Sequence, residues 1–160
     1  MNIIVIGHGM VGHKFLESLA ESGAANIKVT VLCEEPRPAY DRVHLSEFFA
    51  GKSADDLSLV APGFFDAGKS SVDFDLKLNA KAQHIDIVGK TVTVNINGAV
   101  ETLAYDKLVM ATGSYPFVPT VAGNQRKDCF VYRTIEDLEA MLECGKRSKT
   151  GVVIGGGLLG

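Results

Sequence analysis

The chain has 160 residues, about one domain at roughly 150 residues per domain, with 46% hydrophobic and 22% charged residues. Its net charge of −3, with lysines and arginines scattered rather than striped, argues against nucleic acid or anionic lipid as a partner. No uncharged apolar run approaches the roughly 18 residues of a membrane span, and the start lacks the basic residues of a secretory signal, so a cytoplasmic setting is expected.

Residues 2–6 are a short β-branched run that predicts a strand, and it stops at GHGMVG. Val11, Phe15, Leu16 and Leu19 then recur at helical spacing up to a stop at Ser22-Gly23. Residues 27–33 are again nearly all apolar, as expected of a parallel strand buried on both faces. Strand, glycine turn, helix and strand make the opening of a Rossmann-like α/β fold. Pro36 and Pro38 make residues 34–40 a loop, and residues 43–49 predict a short helix closed by Gly51. Residues 55–68 read as polar turns with one apolar patch, and residues 71–78 alternate in part as a strand. Residues 81–88, 90–96 and 99–104, separated by Gly89 and Asn97-Gly98, predict a three-stranded antiparallel β-meander. Residues 106–112 return to a buried-strand pattern ending at Gly113, and Pro116 and Pro119 mark an extended connector. The domain boundary is therefore expected after residue 115, with residues 116–160 holding a connector, a helix and the start of a second dinucleotide domain. That helix begins at an N-cap Thr134 with Asp137 in the capping-box position and runs to Cys144. Residues 151–154 predict one more strand, followed by GGGLLG.

Glycine is the compositional outlier, at 17 of 160 residues, or about 11% against an average of about 7%. Gly7, Gly9 and Gly12 form GxGxxG directly between a strand and a helix, where backbone amides and the positive helix end favour a pyrophosphate. Gly7 permits the tight turn, Gly9 lets a ligand approach the backbone, and Gly12 lets the helix pack close to the strand. Glu34 ends the second strand, where a carboxylate can accept hydrogen bonds from an adenosine ribose diol, and Glu35 is its competitor for that place. A carboxylate there repels a 2′-phosphate, so the first site suits FAD or NAD rather than NADP. The meander followed by ATGSYP (residues 111–116) discriminates further. This layout resembles two-dinucleotide flavoenzymes of the glutathione-reductase type, in which a meander replaces a crossover helix and an ATG turn returns beside FAD. Gly155, Gly157 and Gly160 then sit where the NAD(P)H glycine motif of such enzymes belongs.

Three longer stretches, CEEPRPAYDRVHLSEFF (33–49), YDKLVMATGSYPFVP (105–119) and DCFVYRTIEDLEAM (128–141), carry a more specific resemblance. They are similar to the large subunit of assimilatory NAD(P)H nitrite reductase. That family carries FAD, an iron–sulfur cluster and siroheme, takes electrons from NAD(P)H and reduces nitrite to ammonium. The resemblance implies that this chain corresponds to the FAD-binding start of such a subunit. The cluster and siroheme ligands are then expected outside it, and the chain alone is not expected to reduce nitrite. It places the FAD pyrophosphate on Gly7, Gly9, Met10, Val11 and Gly12 and the ribose on Glu34. Arg42 and Ser46 fall near the phosphate and flavin side, the backbone of Ala82 against the adenine, and Ala111, Thr112 and Gly113 along the dinucleotide. Arg133 matches an arginine that reaches the cofactor in ferredoxin-reductase-like flavoproteins. A nitrite reductase small subunit and self-association are the implied protein partners. The same residues would serve a ferredoxin- or rubredoxin-reductase-like flavoprotein, or a non-catalytic FAD/NAD-binding module.

The remaining polar residues carry no site. Cys33, Cys129 and Cys144 have neither CxxC nor CxxxxC spacing, which excludes a four-thiolate metal site and disulfide-reductase chemistry. His8, His13, His44 and His84 lack metal-ligand spacing and read as loop or surface residues. Asp73 and Asp75 read as a solvated strand face, and Cys33 as a small apolar residue at a buried strand end. Glu47 stands where several ferredoxin-reductase-like relatives have lysine, so no flavin-polarising role is assigned there. No catalytic acid or base is expected.

Overall fold

The apolar runs become strands because each finds a neighbour that satisfies its backbone groups and covers its side chains. The structure, a computed structural model, describes residues 1–156. In chain order the elements are β1 (Asn2–Ile6), α1 (Met10–Glu21), β2 (Ile27–Leu32), α2 (Ser46–Phe49) and β3 (Val72–Lys77). There follow β4 (Ala80–Asp86), β5 (Thr91–Ile96), β6 (Ala99–Ala104), β7 (Lys107–Met110) and α3 (Ile135–Gly145). Four strands make a parallel sheet in the order β3-β2-β1-β7, and β4-β5-β6 form a separate antiparallel meander. The partly alternating stretch at 71–78 is thus the outer parallel strand, in register with β2 from Ile27↔Val72 to Leu32↔Lys77.

Successive side chains of β1 point to opposite faces and so serve two cores. Ile3 and Val5 face α1, where Leu16 is fully buried with Val29, Val31 and Val72. Ile4 and Ile6 face the meander, packing with Leu32, Ala80, Val92 and Val94. The meander therefore covers the sheet face that a crossover helix would otherwise cover. Each such aliphatic side chain contributes about 1.5–3 kcal/mol on full burial. The meander's β5–β6 turn uses Asn97 and Gly98 at φ +50° and +93°, the left-handed pair that a tight hairpin requires.

A third core joins Tyr40, Leu45 and Leu57 to Ile135 and Leu138 of α3. The expected capping box is formed: Thr134 accepts from the Asp137 backbone N–H at 3.3 Å, and Asp137 accepts from the Thr134 N–H at 2.8 Å. Arg37 adds an ion pair to Glu136 at 2.7 Å. The helix expected over 43–49 is shorter, with only residues 46–49 helical.

The strand expected over 151–154 does not form. Among the described residues no strand pairs with it, and Val152, Val153 and Ile154 stand exposed. A β-branched run becomes a strand only beside a partner that takes up its N–H and C=O groups, and none of the described residues does so here. Among the described residues no helix is long and apolar enough to cross a membrane.

Candidate functional site

The glycine turn sits at the carboxyl end of β1, in the middle of the sheet, and two of its glycines are demanded by packing. Gly7 adopts φ +103°, and a Cβ there would lie 2.2 Å from the Ala111 carbonyl oxygen. A Cβ on Gly12 would lie 2.4 Å from the Gly7 carbonyl oxygen, so only glycine lets α1 start this close to β1. The backbone N–H of Ala111 donates to Ile6 at 2.8 Å, which brings the end of β7, and with it Thr112 and Gly113, beside the turn.

Gly9 differs from both. It is the N-cap of α1 and has no side-chain cap, and a Cβ there would meet only the Arg42 Nε, at 4.0 Å. The first turn of α1, Met10 to Gly12, holds no acidic residue, so its amides present an uncompensated positive end. A cradle with open space over Gly9, free amides and an adjacent guanidinium fits a pyrophosphate.

Arg42 is fixed from three sides. Its Nη1 donates to the Arg133 carbonyl oxygen at 3.0 Å, its Nη2 pairs with Glu35, and its guanidinium lies 4.6 Å from the Tyr40 ring centroid. The Tyr40 hydroxyl donates to the other Glu35 oxygen at 2.7 Å, and burial, then this bond, pushes the Tyr40 phenol well above its ordinary pKa. The Arg133 Nη2 lies 3.2 Å from where a Gly113 Cβ would stand. The glycine turn, the β7 end, Arg42 and Arg133 are thus gathered at one edge, from segments more than 90 residues apart.

The two glutamates have separate situations. Glu35 has both oxygens committed to Arg42 and Tyr40. Glu34 is 47% exposed at its side chain and accepts from Lys81 Nζ at 2.6 Å and from the Tyr115 hydroxyl at 2.7 Å. These two bonds, Lys81 first, hold its carboxyl below the usual range. Ala82, beside Lys81, lies in β4 next to a register shift and packs on the Ile4–Ile6 face. Ser46 is exposed at the start of α2, and among the described residues its side chain makes no hydrogen bond to these groups. Gly155 is exposed at φ +118° with no strand before it, while Gly157 and Gly160 lie outside the described residues.

The reading of all four histidines as loop or surface residues is corrected for two. His8 and His13 are 5% and 3% exposed, with their rings edge-to-face at 5.4 Å and packed against Phe65 and Phe64. His8 Nδ1 accepts from the Ala39 N–H at 3.1 Å, and His13 Nε2 lies 3.1 Å from the Leu59 carbonyl. Burial, then the neighbouring His13, lowers the His8 pKa to about 4, and burial lowers that of His13. Nothing in a lone sequence marks these histidines as buried, because the covering residues come from a distant loop. Cys33 is buried, with its thiol pushed up to about 11 by burial, an inert strand-end residue. Asp73 is exposed and Asp75 pairs with Lys77 at 3.2 Å. Sequence pattern alone does not single out Lys81 or Tyr115. Their adjacency to Ala82 and to the ATG turn is the signal the sequence offers.

A glycine turn opening a helix at the carboxyl edge of a parallel sheet, with the second face covered by a meander, defines an α/β dinucleotide-binding domain of the oxidoreductase type. The sequence profile of the family "Pyridine nucleotide-disulphide oxidoreductase" matches residues 1–160, and the chain belongs to that family. It is similar to the "Nitrite reductase (NADH) large subunit" of Escherichia coli (strain K12), with 49% identity over 161 residues, covering 100% of this chain and 18% of that protein. To the "Nitrite reductase [NAD(P)H] large subunit" of Klebsiella oxytoca it is 45% identical over 159 residues, covering 99% and 16%. Among solved structures, the NAD-dependent persulfide reductase from A. fulgidus superposes with a TM-score of 0.78 at 26% identity, covering 91% of this chain and 27% of that one. The chain therefore spans less than a fifth of the length of these curated relatives. The disulphide in the family's name has no counterpart here at CxxxxC spacing, and all three cysteines are free.

Proposed function

We propose that this chain is the FAD-binding part of an NAD(P)H-dependent nitrite reductase large subunit. Residues 1–115 would form the FAD-binding domain, and residues 116–160 would lead through α3 into an NAD(P)H-binding domain. The observation that carries the reading is the open cradle over Gly9, bounded by the α1 amides, Arg42, the β7 end and Arg133. The first turn of α1 and Arg42 would hold the pyrophosphate, Glu34 the adenosine ribose, the Ala82 backbone the adenine, and residues 111–113 and Arg133 the length of the dinucleotide. Bound FAD would supply hydride acceptance from NAD(P)H and electron delivery to an iron–sulfur cluster and siroheme elsewhere in the polypeptide. The chain's own residues bind and orient. No catalytic acid or base is proposed among them. A small subunit and self-association remain the proposed partners.

Identity to nitrite reductases over the whole chain supports the terminal reaction, whereas the fold is shared with reductases of other substrates. The test is an absorption and fluorescence titration with FAD, followed by NAD(P)H oxidation by the intact polypeptide with nitrite. Tight FAD binding with nitrite-dependent oxidation is expected. FAD binding with reduction of dyes or a ferredoxin but not nitrite would replace the reading by a ferredoxin-reductase-like flavoprotein. FAD binding without any NAD(P)H oxidation would leave a non-catalytic module, and no FAD binding would overturn the flavoprotein reading.

A further inference from the structure

Resting on the reading that this chain holds FAD, we propose that Tyr115 and Lys81 are positioning residues for the adenosine end of the dinucleotide, a clasp that aims the Glu34 carboxylate at the ribose diol. Three separate elements meet at this carboxylate: Glu34 just beyond β2, Lys81 in β4, and Tyr115 beyond β7. Tyr115 comes five residues after the end of β7, and β7 is two strands away from β2 in the sheet order β2-β1-β7, so the contact joins segments 81 residues apart. Tyr115 is 78% exposed, and residues 111–120 carry no regular structure, so packing does not impose this contact. The hydrogen bond to Glu34 is what fixes the ring there.

The carboxylate's capacity matches the ligand. An ionised carboxylate offers about four acceptor directions on two oxygens. Lys81 occupies one on Oε1 and Tyr115 one on Oε2, which leaves one on each oxygen for the two hydroxyls of a cis-diol. Held on both sides, Glu34 cannot rotate away, and its 47% exposure keeps the free directions accessible. Glu35 cannot take this part without releasing Arg42 from its place beside Gly9. An isolated surface Lys–Glu pair contributes little. The Tyr115 phenol, from a third segment of the chain, turns the pair into an oriented acceptor. The ligand class is accordingly an adenosine diphosphate or dinucleotide with an unmodified ribose.

The test measures affinities of the intact polypeptide for FAD, ADP and 2′-deoxy-ADP, with Tyr115→Phe, Lys81→Met and Glu34→Gln variants. Tyr115→Phe keeps the ring and removes the hydroxyl. It is expected to weaken FAD and ADP by about three- to tenfold and to shrink the preference for ADP over 2′-deoxy-ADP. In a Glu34→Gln background the same change should cost less than about twofold, because the two act through one carboxylate. Unchanged affinity overturns the clasp. Tighter binding by Tyr115→Phe overturns it too, since the phenol would then compete with the ribose, and so does an equal loss for both nucleotides, which would show a contact unrelated to the diol. If the unaltered protein binds FAD and only the variant results fail, the clasp falls and the FAD reading stands. If the unaltered protein binds neither FAD nor ADP, both fall.

Discussion

At the scale of residues, the three glycines of one motif divide into two kinds. Gly7 and Gly12 are required by the fold, since a Cβ on either would overlap backbone at 2.2 or 2.4 Å. Gly12→Ala should cost about 1–3 kcal/mol of stability, read by chemical denaturation. Gly9→Ala should leave stability within about 0.5 kcal/mol, because its Cβ meets nothing nearer than 4.0 Å. Gly9→Asp should keep the fold and weaken FAD at least tenfold, by putting volume and negative charge into the cradle. Unchanged flavin affinity in that variant would sink the site. His8 supplies a different test. It is buried and neutral, with its pKa lowered from the ordinary 6.5 to about 4. Between these values the unfolded chain binds more protons than the folded one, so stability is fully present above pH 6.5 and is lost as pH falls toward 4. The loss amounts to roughly 3 kcal/mol at 1.36 kcal/mol per unit. His8→Asn keeps an acceptor for the Ala39 N–H and should flatten this acid limb, measured by urea melts from pH 7 to 4. An unaltered slope would assign the acid sensitivity to other groups.

Elements were legible in the sequence wherever their signal was local. The glycine turn, the capping box at Thr134 and the Asn97-Gly98 hairpin each carry their cause within a few residues, and each is where the pattern places it. What was not legible depended on partners far along the chain. The stretch at 71–78 becomes a parallel strand because β2 lies alongside it, whereas 151–154, with an equally strand-like composition, has no strand partner among the described residues. The burial of His8 and His13 comes from Phe64 and Phe65, and the Glu34 cluster joins residues 47 and 81 positions apart. Helix α3 illustrates how local and distant terms divide. Its cap is local, and Thr134→Ala should cost about 1 kcal/mol. Its docking is distant, through Leu138 at 0% exposure against Tyr40, Leu45 and Leu57, and Leu138→Ala should cost about 2–5 kcal/mol. Equilibrium denaturation of the two variants would compare them. A larger loss from the cap than from the core contact would mean that α3 is held by its own helix stability rather than by docking.

At the scale of the whole molecule, the candidate site belongs to no single segment, and that has a measurable consequence. Ala111 to Ile6 ties the β7 end to the β1 end that runs into the glycine turn, Arg42 to Arg133 ties the loop beside Gly9 to the segment entering α3, and Arg133 lies against Gly113, while the β5–β6 hairpin belongs to the meander. A ligand that bridges the glycine turn, the β7 end and the segment entering α3 should slow their local opening together, since binding stabilises only conformations in which all are in place. Hydrogen exchange with and without saturating FAD is therefore expected to slow at residues 10–12, at 111–113 and around Arg133. It should stay unchanged at the Asn97-Gly98 turn. Saturation at 100 times Kd would add about 2.7 kcal/mol to the free energy of global unfolding. Amides that exchange only through that route would slow everywhere, so the comparison rests on those that exchange through local opening. Protection confined to residues 10–12 would show that the glycine turn binds alone and that Arg133 and the β7 end serve the fold. Protection at all three would make the gathered edge one binding unit, with the connector into α3 as part of it.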